Sequence, residues 1–190
     1  MRVIHLTISA KLGFKLGFSV SRFALILSMF ISTGAHAAGT FEEGLAYFDQ
    51  ANAAQDPKHE GYARAYAIWS DPALAEHSAA QYHLGVLHFY GLGGAEFDQY
   101  KGISLFRQSA EAGYHVAQAF MGFAAENGDD VFVAKDEAVA LEWYQKAAQA
   151  NHCVAIRRLE QAYQNGELGL SVNEDKAAEW RQRRDSCRTR

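Results

Sequence analysis

The sequence predicts an all-α fold, an αα-hairpin superhelix (solenoid) of about four repeats. Three observations carry this. Two separate stretches recur at the same spacing of 37 to 38 residues. Apolar and small residues fall at helical spacing between glycines. Strand alternation is absent, and the 190-residue chain holds only two prolines.

The first 37 residues are expected to lie outside that fold. Their charged residues, Arg2, Lys11, Lys15 and Arg22, are all basic. An apolar run from Phe23 to Ile31 follows, and then Ala35-His36-Ala37. A positive segment, a short apolar core and an A-x-A site are the ordered parts of a signal peptide. The run is shorter than the roughly 20 residues a spanning helix needs, so stable membrane insertion is not expected. Cleavage after Ala37 would release a chain of 38–190 into the periplasm or medium. No cysteine follows the cleavage site to carry a lipid.

Without the leader the chain keeps 14 basic and 22 acidic residues, a net charge of −8. Residues 38–152 carry six basic and sixteen acidic groups, and 153–190 carry eight and six. Phosphate binding needs a basic face, so an acidic body with an Arg-rich end argues against nucleic acid as the main partner.

The repeat emerges when stretches are superposed. One reads Ala80-Gln-Tyr-His-Leu84-Gly85, then Ala117-Gln-Ala-Phe-Met121-Gly122, then Ala155-Ile-Arg-Arg-Leu159-Glu160. The other runs through Ala65/Trp69, Gly102/Phe106, Ala140/Tyr144 and Ala177/Arg181. The units are therefore approximately 41–78, 79–114, 115–152 and 153–190. Each reads as two helices. In the first, Ala80, Leu84, Gly85 and His88 share one face. Gly91, Gly128 and Gly166 end the first helices, where glycine can take a left-handed cap. Asp98, Asp136 and Asn173 stand where an acceptor side chain can cap the second helix. The second helix packs small residues beside aromatics, as in Ala140, Trp143, Tyr144, Ala147 and Ala148. In the first unit the opening helix (41–51) is degenerate, and Pro72 is expected to kink the helix from Tyr62 to His77.

These patterns, A-x-x-x-L-G followed by D-x-x-K-A-x-x-W-Y-x-K-A-A, resemble the Sel-1-like repeat, a relative of the tetratricopeptide repeat. The resemblance covers essentially all of 38–190. It departs where the family tyrosine is His88 in the second unit and Ala125 in the third, while Tyr163 keeps it in the fourth. The third loop, Asp129 to Lys135, is unusual. The last unit departs like a cap: Arg158 and Glu160 replace His83 and Gly85, and Arg184-Asp185 replace a small pair. A solenoid end is expected to be polar outside. Cys153 opens the first helix of that unit and Cys187 closes the second, so antiparallel packing brings them together as a disulfide.

Catalytic motifs are missing: no G-x-S-x-G, no H-E-x-x-H, no phosphate loop, and no S-x-x-K set of penicillin-recognising enzymes. No cofactor is expected. His83 and His88 lie about 140° apart around one helix, a poor metal pair, and His77 and His152 sit at equivalent turns. Likeness to tetratricopeptide units implies that the first helices line a concave face. The candidate binding residues there are Tyr82, Val86, Phe89, Tyr90, Phe123, Glu126, Asn127, Arg157 and Gln161. An aromatic stripe suits a peptide, and the same side chains also suit packing between repeats. The Arg end (Arg181, Arg183, Arg184, Arg188, Arg190) reads two ways, as a contact for an anionic glycan, lipid or acidic partner, or as a solvated helix complementing its own dipole. The expected function is an exported, non-catalytic protein-binding scaffold of the cell envelope. The alternatives are a β-lactam- or peptidoglycan-acting enzyme and an envelope-glycan binding module.

Overall fold

Helix boundaries follow the cap residues. The computed structural model describes residues 39–128 and 133–187. The leader at 1–37, most of the third loop's acidic stretch (129–132), and Arg188 and Arg190 lie outside the described residues. Eight α-helices form among those described: α1 (Phe41–Ala54), α2 (Glu60–Trp69), α3 (Ser78–Tyr90), α4 (Gln99–Glu111), α5 (His115–Asn127), α6 (Glu137–Gln149), α7 (Cys153–Asn165) and α8 (Glu174–Cys187). They pair as hairpins, α1/α2, α3/α4, α5/α6 and α7/α8, and each hairpin packs on the next through consecutive helices. Nearest-neighbour packing of this kind is what makes a solenoid.

The loops within the last three hairpins close in one way. The N–H groups of Asp98, Asp136 and Asn173 donate to the carbonyls of His88, Ala125 and Tyr163, at 2.9, 2.8 and 2.8 Å. Their side chains then accept from Lys101, Ala138 and Lys176 N–H groups, each at 2.9 Å. The backbone carbonyl at the family tyrosine position does the closing, which explains why His88 and Ala125 are tolerated there. Gly91 and Gly166 take the left-handed cap at the ends of α3 and α7. Gly128 does not: at φ 69° and ψ 162° it turns the chain out extended.

Small residues on one helix receive rings from its partner. Ala65, Ala140 and Ala177 are fully buried. Trp69, Phe106 and Tyr144, one period apart, are 2 to 3% exposed. A Cβ on Gly85 would lie 2.8 Å from the Phe106 ring, and one on Gly122 would lie 2.9 Å from the Tyr144 ring. Gly44 receives the Trp69 indole in the same way. Because Gly44 is out of phase with the period, the sequence of the first unit looked degenerate.

Two expectations are corrected. The helix from Tyr62 does not kink at Pro72. It ends at Trp69, and Pro72 opens a separate 3-10 turn, Pro72–Leu74. Proline disfavours helical backbone at the residue before it, and Asp71 is extended at φ −65° and ψ 131°, capping Ala73 N at 2.8 Å. Second, Arg158 and Glu160 are not an outer polar face. Glu160 is 3% exposed, and it accepts from Arg181 at 3.1 Å and Arg184 at 2.8 Å. The Gly/aromatic contact of earlier units is replaced at 160/181 by a carboxylate and a guanidinium. The polar end is α8 itself, in which Ala177 is the buried residue. Cys153 and Cys187 are joined as a disulfide with Cα atoms 5.8 Å apart. Closing a 34-residue span contributes roughly 3–4 kcal/mol by loop entropy.

Candidate functional site

The nine candidate residues separate into a packed set and an open set. Tyr82, Val86 and Phe89 on α3 are half-buried and pack on the core formed by Ile103, Phe106 and Met121. Tyr82 stands 5.1 Å from the Phe106 ring, centroid to centroid. Those three side chains thus take part in packing between units. Tyr90, at the end of α3, is 64% exposed. Phe123, Glu126 and Asn127 on α5 and Arg157 and Gln161 on α7 line one open groove of about 490 Å³.

That groove runs between the first helices of the third and fourth units. Phe120, Phe123, Val116 and Val154 supply apolar wall, and Phe123 and Val154 are 59% and 52% exposed. The floor is ionic. The Arg158 guanidinium, with its side chain 17% exposed, forms an ion pair with Glu126 through Nη2, and its Nη1 donates to Glu167 at 2.6 Å. The Tyr144 hydroxyl donates to Glu126 at 2.8 Å. The Arg158 bonds hold the Glu126 carboxyl below its usual range, and the Tyr144 bond adds to this against burial. Burial first, and then the Glu126 bond, pushes the Tyr144 hydroxyl up. Arg158 is raised, chiefly by its bonds to Glu126. Glu126 is thus fixed as an anion with both neighbours committed to it, which makes it a structural charge rather than a proton donor. At one end His152 caps α7, its Nδ1 accepting from Ala155 N at 3.3 Å, and its ring lies 5.4 Å from His115. Burial, and then His115, lowers its pKa.

Arg158, Tyr144 and Val154 were missed as groove residues. The signal was present in the register: Glu126 occupies the row held by Phe89 one unit earlier, and Arg158 the row held by Phe120 one unit earlier and His83 two units earlier. Two charges replacing two rings in adjacent rows mark an ion pair. The terminal arginines are also not simply solvated, as one reading had it. Arg181 and Arg184 bond Glu160, and Arg183 donates to the Ala148 carbonyl at 2.6 Å while stacking 4.7 Å over Trp180. Among the described residues no three potential metal ligands converge, and no helix is long and apolar enough to cross a membrane.

Comparison with other proteins places these features. The chain is similar to a Sel1 repeat protein from Oxalobacter formigenes, at 26% identity and a TM-score of 0.62, over 76% of this chain and 54% of that one. It is also similar to a protective antigen present in uropathogenic Escherichia coli strains that displays an SLR fold. That likeness is 31% identical with a TM-score of 0.59, over 77% of this chain and 29% of that one. The chain therefore spans about half of the first structure and under a third of the second. No match was found among curated proteins. The Sel1 repeat profile matches residues 78–114, 115–152 and 155–183. With three matched repeats, hairpins capped in one register and two solved repeat structures alike in fold, the chain belongs to the Sel1 repeat family.

Proposed function

We propose that this chain is an exported, non-catalytic scaffold of the cell envelope that binds a partner protein through the groove between α5 and α7. The observation that carries the reading is the groove wall. Phe123 and Val154 stay more than half exposed, whereas Val86 and Val116, one period earlier in the same rows, are half-buried. Exposed large apolar side chains beside unpaired polar ones are the usual mark of a contact surface. Export is supported by the leader pattern at 1–37 and fits a disulfide, which persists in oxidising compartments. The mechanism is surface complementarity, with no chemical step. A fold alone does not specify a partner, so the test is in the cell. A photocrosslinking side chain at Phe123 should trap a discrete protein adduct, and one at exposed Glu142 on α6 should not. Equal labelling at both positions, or none at Phe123, would sink the reading. Amino-terminal sequencing of the exported protein should begin at Ala38.

A further inference from the structure

The groove is electrically lopsided, and the imbalance says what kind of segment it takes. Glu126 and Arg158 neutralise each other on the floor, with Glu167 behind them. Arg157 is different. It is exposed on the groove wall and has no ion-pair partner among the described residues. It stands toward the end where the amino termini of α5 and α7 meet, as the His115/His152 ring contact shows. α5 has no side-chain cap there, so the positive ends of two helix dipoles add to the Arg157 charge. The opposite end holds Glu126 and Asn127.

Two amides line the same walls. Gln161 is exposed and makes no hydrogen bond among the described residues. Asn127 donates Nδ2 to the Phe123 carbonyl at 2.8 Å, and its Oδ1 receives nothing among them. A side-chain amide matches the donor and acceptor of a peptide unit. Only an extended segment has such units free, since a helix satisfies its own.

Spacing completes the argument. In the 38-residue register, Arg157 is level with Ala119 and Gln161 is level with Phe123. The Arg157 and Phe123 rows are therefore four helical residues apart, about 6 Å along the axis. In an extended chain, side chains i and i+2 point the same way about 6.6–6.8 Å apart.

We propose that the groove binds an extended partner segment of the form acidic-x-apolar, the carboxylate on Arg157 and the apolar side chain against Phe123. This rests on the partner-binding reading above and specifies its ligand. The test uses protein purified, disulfide intact, from cells expressing the full chain. The probes are two blocked fluorescent peptides of equal length, differing only in Glu-Ser-Leu or Lys-Ser-Leu at their centre. Near-physiological salt limits long-range effects. The Glu peptide should bind about tenfold more tightly, one charge pair's worth of discrimination. Arg157→Glu, at an exposed and unpaired position, should fold unchanged by circular dichroism and reverse the preference. Equal binding of the two peptides, or a preference that survives Arg157→Glu, overturns the proposal. A crosslinked adduct at Phe123 that Arg157→Glu leaves intact in the cell overturns the acidic motif while leaving the scaffold reading standing.

Discussion

Two junctions of this solenoid solve the same geometric problem with opposite chemistry. Between the first and second units, the α3 residue facing back is His83, and rings surround it: Trp69 stacks at 4.9 Å, Phe48 meets it edge-on at 5.1 Å and Phe41 lies at 5.8 Å. Between the third and fourth units the equivalent residue is Arg158, and around it stand Glu126, Glu167 and the Tyr144 hydroxyl. The repeat fixes where a side chain must fill space, and it leaves polarity free. Apolar rings gain from leaving water. Charges must first be desolvated, and a pair recovers that cost only with complete bonding. The aromatic junction is therefore optimised for stability. The ionic one holds a polar, open groove beside it, where recognition is possible.

The largest effect should come from removing the centre of the aromatic junction. Trp69 is 2% exposed and its indole N–H reaches the Phe41 carbonyl at 3.4 Å. Trp69→Ala should cost about 3–5 kcal/mol, as for other buried aromatic truncations. Trp180, half-buried on the polar terminal helix, should cost under about half as much. Urea denaturation of the two variants measures this. Equal losses would break the contrast between the junctions.

Acid should separate the two regions next. Burial lowers the His83 pKa to about 4, and its Nδ1 is buried without a hydrogen-bond partner. Asp49 is the charged group facing it, and it pulls the other way. The folded state therefore disfavours the protonated ring. The stability this gives is complete above the unfolded pKa of about 6.5 and is lost as pH falls from there toward about 4. Glu126, held below the ordinary carboxylate range, gives stability that persists above that range and is lost only as pH falls below it. The His152 pKa at the α5/α7 end is also lowered, by burial and then His115, so acid weakens that junction too. The amino-terminal one, where burial lowers His83 further, should loosen more and so open first. Hydrogen exchange at pH 7 and pH 5 should show protection falling in α1–α3 before α5–α7. His83→Phe should remove that early loss while keeping the ring in place. If α5–α7 opens first, the burial argument fails.

Much of this was legible beforehand because a repeat is read several times over. Asp98, Asp136 and Asn173 were visible as caps because each recurs in phase before a helix. Cys153 and Cys187 fell at two ends that antiparallel helices must bring together. What escaped depended on depth or on one residue's exception. Register shows that Val86, Phe123 and Gln161 share a row, but not that Val86 is packed while the other two face a groove. That difference comes from the Ile103, Phe106 and Met121 side chains that cover Val86, which are set by residues far away in sequence. Glu160 was misread because a charged residue in the last unit suggests solvent. Its burial required seeing that Arg181 and Arg184, a turn apart on α8, both reach it. Gly44 was missed because it meets Trp69 across 25 residues where Gly85 meets Phe106 across 21, which puts it out of the period.

The smallest effect tests how rigid the ionic junction is. Alanine favours a helix over glycine by about 1 kcal/mol, while overpacking costs about 1–3 kcal/mol. At Gly85 the new Cβ would stand 2.8 Å from Phe106 and 3.0 Å from the Gly102 carbonyl. Backbone on one side and a packed ring on the other leave little room, so Gly85→Ala should lose about 1–2 kcal/mol net. At Gly122 the three nearest atoms all belong to the Tyr144 ring, the closest at 2.9 Å. That ring can tilt toward the open groove, provided its hydroxyl keeps hold of Glu126. Gly122→Ala should therefore cost less than Gly85→Ala in thermal denaturation, roughly 1 kcal/mol or below. Glu126→Gln, which weakens the tether, should narrow the cost further. A larger loss at Gly122 would mean that the Tyr144–Glu126–Arg158 network is held as stiffly as the rings at the other junction, and that the groove is a fixed shape to which a partner must conform.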